Sequence, residues 1–578
     1  MTLRPSIRLF RLTAAALALG CGGVAQANTG ESSNDALIPP PPVSAASGYA
    51  VPTARPAGRF ETAIANIRSG RWDDARAEIE AMQDRSLANF ARAELYLAAG
   101  SPRVEGDALR SLLAEAPDLP QGQQLANLAR TRGVTDVVLS PTNRLVWAGS
   151  TPRRGTPRAI DDAVLGPLKS QMQAQISADN PAGAEAMLAG AGGASPEALT
   201  EWRARIAWSY YIENDDFNAR RLAALAQTGS GEWAVQASWA QGLAAWRQRD
   251  YANAALAFRD VSARASDPEL MAQGSYWLAR ASTASGRPQD AQAALRRAAS
   301  NIETFYGQLA AEALALPRPP VSLGADAAAD ARVAALPNVR AARSLVASGQ
   351  SQLADEALRY QARIGSPADH SALIRQAAQL GLAETQYWLA HNAPSGARQP
   401  LAARFPTLRV APVEGWRISP ALAMAHTLQE SSFRSRAISP AGAVGLMQVR
   451  PIAASDMGRA SGRDALTDPA TNLSYGQGYI EQLRDSGFTG GLLPKVIAAY
   501  NAGPTPVTRW NAEVRDGGDP LLWIESLPYW ETRAYVGIVL RNLWVYESAM
   551  NVPGTSRLEL ASGRWARVPT APTRLAQR

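Results

Sequence analysis

At 578 residues, 46% of them hydrophobic, the chain is longer than one core usually serves, and it predicts two or more domains. Its 58 Lys and Arg against 51 Asp and Glu leave a net charge of +7, a mild basic excess that favours acidic partners without naming one. There is no compact Lys/Arg block interleaved with aromatics, no zinc-finger spacing and no phosphate-binding glycine loop, so nucleic acid is not an expected partner.

In chain order, Arg4, Arg8 and Arg11 precede the short apolar run 12–19 and the small residues of 20–27. This is the three-part pattern of a secretory signal over 1–27, too short for a bilayer span of roughly 20 apolar residues. An exported, periplasmic protein is expected, with no transmembrane segment. Ala25-Gln26-Ala27 is a good cleavage site, and cutting there removes the sole cysteine, Cys21. Ala18-Leu19-Gly20-Cys21 partly resembles a lipobox, and the alternative is a lipoprotein anchored through Cys21. Residues 28–58, rich in Pro, Ser, Gly and Ala, read as a flexible tether.

From 59 to about 316 apolar residues recur at helical spacing almost without interruption. Phe60, Ile64 and Ile67 share one helical face, and Trp72, Ala75 and Ile79 repeat the spacing after the Gly70 turn. Trp239 to Trp246 leads through Arg249-Asp250-Tyr251 into a second apolar run ending at Phe258. Tyr276 to Ala281 leads through Gly286-Arg287-Pro288 into another ending at Leu295. Each is a helical hairpin with a period in the thirties, the pattern of a stacked α-solenoid. Trp208, Tyr210, Trp239 and Trp246 are expected in its core, since helically spaced aromatics pack more often than they form a sugar-binding stripe. Thr304-Phe305-Tyr306-Gly307-Gln308-Leu309-Ala310 closes the region. Pro317, Pro319 and Pro320 break the pattern, and a further helical stretch covers 333–405.

Four ordered blocks then follow within 412–550. They are Gln429-Glu430-Ser431-Ser432-Phe433 at the end of an apolar helix, Gly445-Leu446-Met447-Gln448, Ala499-Tyr500-Asn501-Ala502-Gly503, and Pro528-Tyr529-Trp530-Glu531 running on to Val536. A glycosidic bond breaks by protonation of its leaving oxygen, so one carboxylic acid must stay protonated near neutral pH. Glu430, after Met424, Ala425 and Leu428 and before Phe433, has the apolar neighbours that raise a carboxyl pKa by burial. No second acid occurs from Ser431 to Ser455, and Asp456 is the nearest downstream, whereas ordinary glycosidases use two carboxylates. His370, His391 and His426 have no metal-ligand spacing, and His426 is expected as a packed helix residue. No metal and no cofactor are expected. After 550 the composition turns to Pro, Thr, Arg and Ser, and 551–578 is expected to be a poorly ordered tail.

Together the four blocks resemble the goose-lysozyme-like catalytic domain of soluble lytic transglycosylases, the enzymes that cut the glycan strands of bacterial peptidoglycan. The Phe305-Tyr306-Gly307 segment is similar to one near the end of that family's superhelical domain. The resemblance implies an all-α protein made of a helical-repeat superhelix (59–316), a helical linker domain (333–405) and a lysozyme-like catalytic domain (412–550). It implies Glu430 as general acid and then base, with the C6 hydroxyl of N-acetylmuramic acid as nucleophile and a 1,6-anhydro sugar as product. It also implies substrate contacts at Ser439, Gln448, Tyr500 and Glu531, with Tyr500 against the catalytic glutamate and Tyr535 packed beside Glu531. Arg450 departs from the family, which often carries an apolar residue there. Peptidoglycan glycan strands are the expected partner, and cell-wall or division proteins docking on the repeats are possible ones. Two alternatives remain at this point: a catalytically inactive peptidoglycan-binding scaffold, and a lysozyme-type hydrolase.

Overall fold

In a computed structural model of the chain, residues 59–318, 321–456, 458–459 and 462–571 are described. The expected signal, the tether and Cys21 lie outside them. Among the described residues the protein is all-α. The only named strands are the three-residue pair Leu145–Trp147 and Asn392–Pro394, joined antiparallel with Val146 opposite Ala393. None of the described helices is long and apolar enough to cross a membrane.

The hairpins form where the periodicity predicts them. Helices Pro196–Ile212 and Asp216–Gln227, Gly231–Arg247 and Tyr251–Arg264, and Pro268–Ala284 and Pro288–Ala299 pack in succession. Each connecting turn uses one left-handed residue, Asn214 (φ 62°), Arg249 (φ 62°) or Gly286 (φ 77°). In the first two, an aspartate follows and caps the next helix by accepting a backbone N–H. Small residues let the helices close up: a Cβ on Gly242 would stand 2.4 Å from the Phe258 ring, and one on Gly274 2.6 Å from Val261. Trp239 is fully buried and Tyr210 nearly so, while Trp208 and Trp246 are partly buried against the same core. Within 59–316 the helical pattern has one long break. Residues 133–168 contain no α-helix, because Pro141, Pro152, Pro157, Gly149 and Gly155 withdraw donors and favour non-helical backbone.

Two large cores organise the described residues. One joins 60–134 to 329–403, so the first helices pack on the stretch that follows the solenoid, with Asn338 Nδ2 donating to Asp118 O at 2.8 Å. The other joins 165–310 to 383–568, fusing the hairpins with the segment that carries the four blocks. The Phe305-Tyr306-Gly307 segment lies at this junction. Phe305 stacks on Trp544 with centroids 5.2 Å apart, and Tyr306 accepts from Trp277 Nε1 at 3.0 Å and donates to Glu525 Oε1 at 2.7 Å. Tyr211 and Ser526 hydroxyls meet at 2.6 Å, and Arg280 pairs with Asp519 at 2.6 Å.

The stretch after residue 550 differs from its expected poor order. Thr555–Ala561 is a helix, Leu560 and Ala566 are fully buried, and Arg557 pairs with Glu312 at 2.7 Å. Leu493 N donates to Ala566 O at 2.7 Å and Ser419 N to Pro569 O at 3.0 Å, so this segment braces the starts of two helices that build the site. Only 572–578 fall outside the described residues. Spaced apolar residues outweigh the Pro and Arg content here.

Gly307 permits no side chain, since a Cβ would lie 1.9 Å from Asn301 O. Gly307→Ala should cost about 2 kcal/mol or more by overpacking at this junction. A lowered thermal midpoint with unchanged helix content is expected, and an unshifted melt would show that the junction tolerates the methyl.

Candidate active site

The helix Pro420–Glu430 is apolar up to Ala425, and each residue from Pro420 to Leu428, His426 and Thr427 included, is buried. Such a helix belongs at the centre of its domain. It ends in an abrupt reversal, with Ser431 N and Ser432 N both donating to Thr427 O, and with Ser432 and Phe433 at φ 69° and 68°. Left-handed backbone at a bulky residue costs of order 1–3 kcal/mol and persists only where packing enforces it. Here the buried Phe433 ring enforces it, and Glu430 is left at the helix end, partly buried.

Three further elements close around that carboxyl. The helix Trp530–Ala549 packs along Pro420–Glu430 and carries Glu531 and Tyr535 one turn apart. Tyr535 donates its hydroxyl to Glu430 Oε1 at 2.5 Å, and His426 Nδ1 lies 2.9 Å from the same hydroxyl oxygen. With the phenol proton on Glu430, His426 must donate from Nδ1, which leaves a buried Nε2 with no partner. Burial holds His426 at about 3, so the ring is neutral. The helix Leu493–Ala502 supplies Tyr500, whose ring lies 4.5 Å from that of His426 and whose hydroxyl donates to Met447 O at 2.8 Å. Burial keeps both tyrosines protonated, well above the usual phenol value. The two helices are tied by Thr532 Oγ1 donating to Asn501 Oδ1 at 2.6 Å.

The electrostatics favour a protonated acid. Burial pushes Glu430 up to about 7; the Tyr535 hydrogen bond pulls down and the charge of Glu531 pushes up. Glu531 is half-buried, and burial raises it too. Space therefore supplies what chain order concealed, a second carboxylate close enough to act on Glu430.

The third element is the turn 437–449. Ser439 Oγ accepts Ala443 N at 3.0 Å across its tip, leaving the hydroxyl proton free to donate. Gln448 sits at φ 48°, and its Nε2 donates to Gly445 O at 2.9 Å and Ala437 O at 3.2 Å, so the amide oxygen remains as acceptor. Asn472, fully buried, pins the turn from below: it accepts Met447 N at 2.8 Å and donates to Val444 O at 2.9 Å and Leu466 O at 2.7 Å. A Cβ on Gly445 would meet Leu466 O at 2.2 Å, and the residue stands at φ +81°, so only glycine fits.

The structure thus brings Glu430, Tyr535, His426 and Tyr500 into contact and sets Glu531 beside them. Ser439 and Gln448 share the neighbouring turn, joined to the group through Tyr500 and Met447, with no hydrogen bond of their own to Glu430 among the described residues. The phenol on Glu430 belongs to Tyr535, while the proton of Tyr500 goes to the turn. Sequence reasoning gave His426 no role beyond packing, although its position four residues before Glu430 set both on one helix face. Arg450 is exposed. Among the described residues no cluster of His, Cys, Asp and Glu could hold a metal ion.

Residues 411–521 match the family model described as Transglycosylase SLT domain. Over that stretch the chain is similar to transglycosylase SLT domains. Glu430, Ser439, Gln448 and Tyr500 fall inside the matched stretch, and Glu531 and Tyr535 beyond it. The soluble lytic murein transglycosylase of Salmonella typhimurium is 32% identical over 159 residues, 26% of this chain and 24% of that protein. Its Escherichia coli namesake is 35% identical over 132 residues, 22% of this chain and 20% of that protein. The chain therefore aligns with a quarter or less of the length of these relatives. The structure of the 70 kDa soluble lytic transglycosylase from Escherichia coli superposes with a TM-score of 0.53 at 18% identity, covering 89% of this chain and all of that one. An inactive mutant of a Pseudomonas aeruginosa lytic transglycosylase gives 0.50 at 18% identity, with 88% of each chain covered. The resemblance to soluble lytic transglycosylases therefore rests on sequence over the SLT domain and on fold over most of the chain.

Asn472→Ala would leave the Met447 N–H and the Leu466 carbonyl unmatched, at about 1–3 kcal/mol each, while Val444 O keeps its bond from Val449 N. Hydrogen–deuterium exchange should accelerate at 444–449 more than in the flanking helices. Unchanged exchange there would mean that something other than Asn472 holds the turn.

Proposed function

We propose that the protein is a periplasmic lytic transglycosylase that cleaves the β-1,4 bond between N-acetylmuramic acid and N-acetylglucosamine in peptidoglycan. The observation that carries the reading is the partly buried Glu430 carboxyl, raised to about 7 inside an SLT domain. Protonated Glu430 gives its proton to the glycosidic oxygen as the bond to the muramoyl C1 breaks and positive charge develops there. The resulting carboxylate, stabilised by the Tyr535 hydroxyl, removes the proton of the muramoyl C6 hydroxyl. The C6 oxygen then bonds to C1, closing the 1,6-anhydro ring, and Glu430 is again protonated. An internal nucleophile, at an effective molarity on the order of 10⁵ M when oriented, outcompetes water.

The other residues take roles consistent with their remaining hydrogen-bonding capacity. Gln448, with its amide N–H groups engaged, accepts an acetamido N–H through Oε1. Ser439 donates its hydroxyl to sugar. Tyr500 fixes the turn that carries Gln448 and meets substrate with its ring. Glu531 raises the pKa of Glu430 and binds sugar hydroxyls. One observation favours a second reading: Glu531 beside Glu430 could activate water, which would make the protein a lysozyme-type hydrolase.

Mass spectrometry of digested peptidoglycan separates these readings. Anhydro-muropeptides from the parent and none from Glu430→Gln are expected. Reducing-end products, one water heavier, would identify a hydrolase, and undiminished cleavage by Glu430→Gln would remove Glu430 from the chemistry. The pH dependence of kcat/KM is a separate check, because activity must fall as Glu430 loses its proton. Tyr535→Phe removes a hydrogen bond to the carboxylate, so the alkaline limb should move to higher pH. Glu531→Gln removes a like charge, so the limb should move to lower pH. Shifts in the same direction would contradict the assignment.

A further inference from the structure

His426 touches the hydrogen-bond partner of the acid, yet the reaction proposed for Glu430 gives it no step. It is fully buried on the helix Pro420–Glu430, with its ring centroid 4.5 Å from that of Tyr500 and 6.0 Å from that of Tyr535. Its Nδ1 lies 2.9 Å from the Tyr535 hydroxyl oxygen. Burial holds the ring neutral, at about 3, so it carries a single N–H.

The position of that N–H decides the direction of the whole chain of hydrogen bonds. If Glu430 donated to Tyr535 and Tyr535 to Nδ1, the imidazole proton would sit on Nε2, which is buried with no partner among the described residues. A buried N–H without an acceptor is rare and costly, whereas a bare ring nitrogen strands only a lone pair. The orphaned Nε2 therefore selects the opposite order: Nδ1–H donates to Tyr535, and the phenol proton goes to Glu430 Oε1 at 2.5 Å.

This order acts on the acid itself. A protonated carboxyl accepts best through its carbonyl oxygen, so Oε1 is the carbonyl and the acid proton is on Oε2. Glu430 is only partly buried, and Oε2 makes no hydrogen bond among the described residues. The other ionisable groups facing the chain are Glu531 on the helix of Tyr535, and Tyr500 with the Tyr479 ring behind it at 5.4 Å. Burial keeps Tyr500 protonated, so it lends no charge.

We propose that His426 is a positioning residue: its Nδ1–H turns the Tyr535 hydroxyl toward Glu430 Oε1 and confines the transferable proton to Oε2. The inference rests on the reaction proposed for Glu430. The proton leaves Oε2 for the glycosidic oxygen, and the C6 hydroxyl proton returns to Oε2, while His426 and Tyr535 keep theirs throughout.

Titration of Glu430 by ¹³C NMR reads this without turnover. With Nδ1–H removed, the Tyr535 hydroxyl can turn to accept from protonated Glu430, which favours the neutral acid. His426→Leu should therefore raise the midpoint of Glu430 by on the order of one pH unit. His426→Asn, whose amide nitrogen stands close to the place of Nδ1, should restore the parent value. In a Tyr535→Phe background His426→Leu should add no shift, because the effect runs through the phenol. His426→Phe keeps a ring against Tyr500 and replaces His426→Leu if that variant fails to fold by circular dichroism. With peptidoglycan as substrate, kcat should fall several-fold in His426→Leu with KM little changed, and should recover in His426→Asn. An unmoved midpoint in a folded donor-free variant, an equal shift in the Tyr535→Phe background, or no recovery with His426→Asn would overturn the role of His426. A parent protein that forms no anhydro-muropeptides but shows the titration pattern would overturn the reaction, and Oε2 as its proton donor, while leaving the hydrogen-bond order in place.

Discussion

A carboxyl group at the end of a buried helix is the constraint on which the site depends. Ionising it there is unfavourable, so Glu430 keeps its proton to about pH 7, well above the 4.5 of an ordinary glutamate. A single hydrogen bond from Tyr535 moderates the penalty. Tyr535 is fixed in turn by His426, whose low basicity makes it a neutral spacer that adds no charge beside the acid. The left-handed turn at Ser432 and Phe433 aims the carboxyl, and its strain is borne by the packing of Phe433.

The rest of the chain supports this arrangement from several sides. The solenoid hairpins share one core with the SLT segment, with Phe305 stacked on Trp544 of the helix that carries Tyr535 and Tyr306 bonded to Glu525 in the helix Pro520–Glu525 before it. The segment after residue 550 braces the starts of the helices that bear Glu430 and Tyr500. Asn472 holds the turn of Ser439 and Gln448 against the same centre.

The all-α fold was legible because the 3.6-residue spacing of apolar positions is a local property. The break over 133–168 was legible only in its prolines, which the apolar count overrode. Order after residue 550 was missed because it comes from contacts with residues more than a hundred positions away, such as Arg557 with Glu312. The burial of Glu430 was readable from its apolar neighbours. The contact from Tyr535 crosses 105 residues and could not be read from spacing. The same limit hid the proximity of Glu531 to Glu430, which chain order presents as an isolated acid. Resemblance marked Tyr500 as the neighbour of the glutamate, and geometry gives its proton to Met447 O.

The most direct test of the account is the titration of Glu430 itself. Protein with ¹³C-labelled glutamate side chains, and its Glu430→Gln variant to assign the signal, would be followed by NMR across pH. A midpoint at about 7 is the predicted result. A midpoint near 4.5 would show a solvated, ionised carboxylate at neutral pH and would contradict the assignment of Glu430 as the acid.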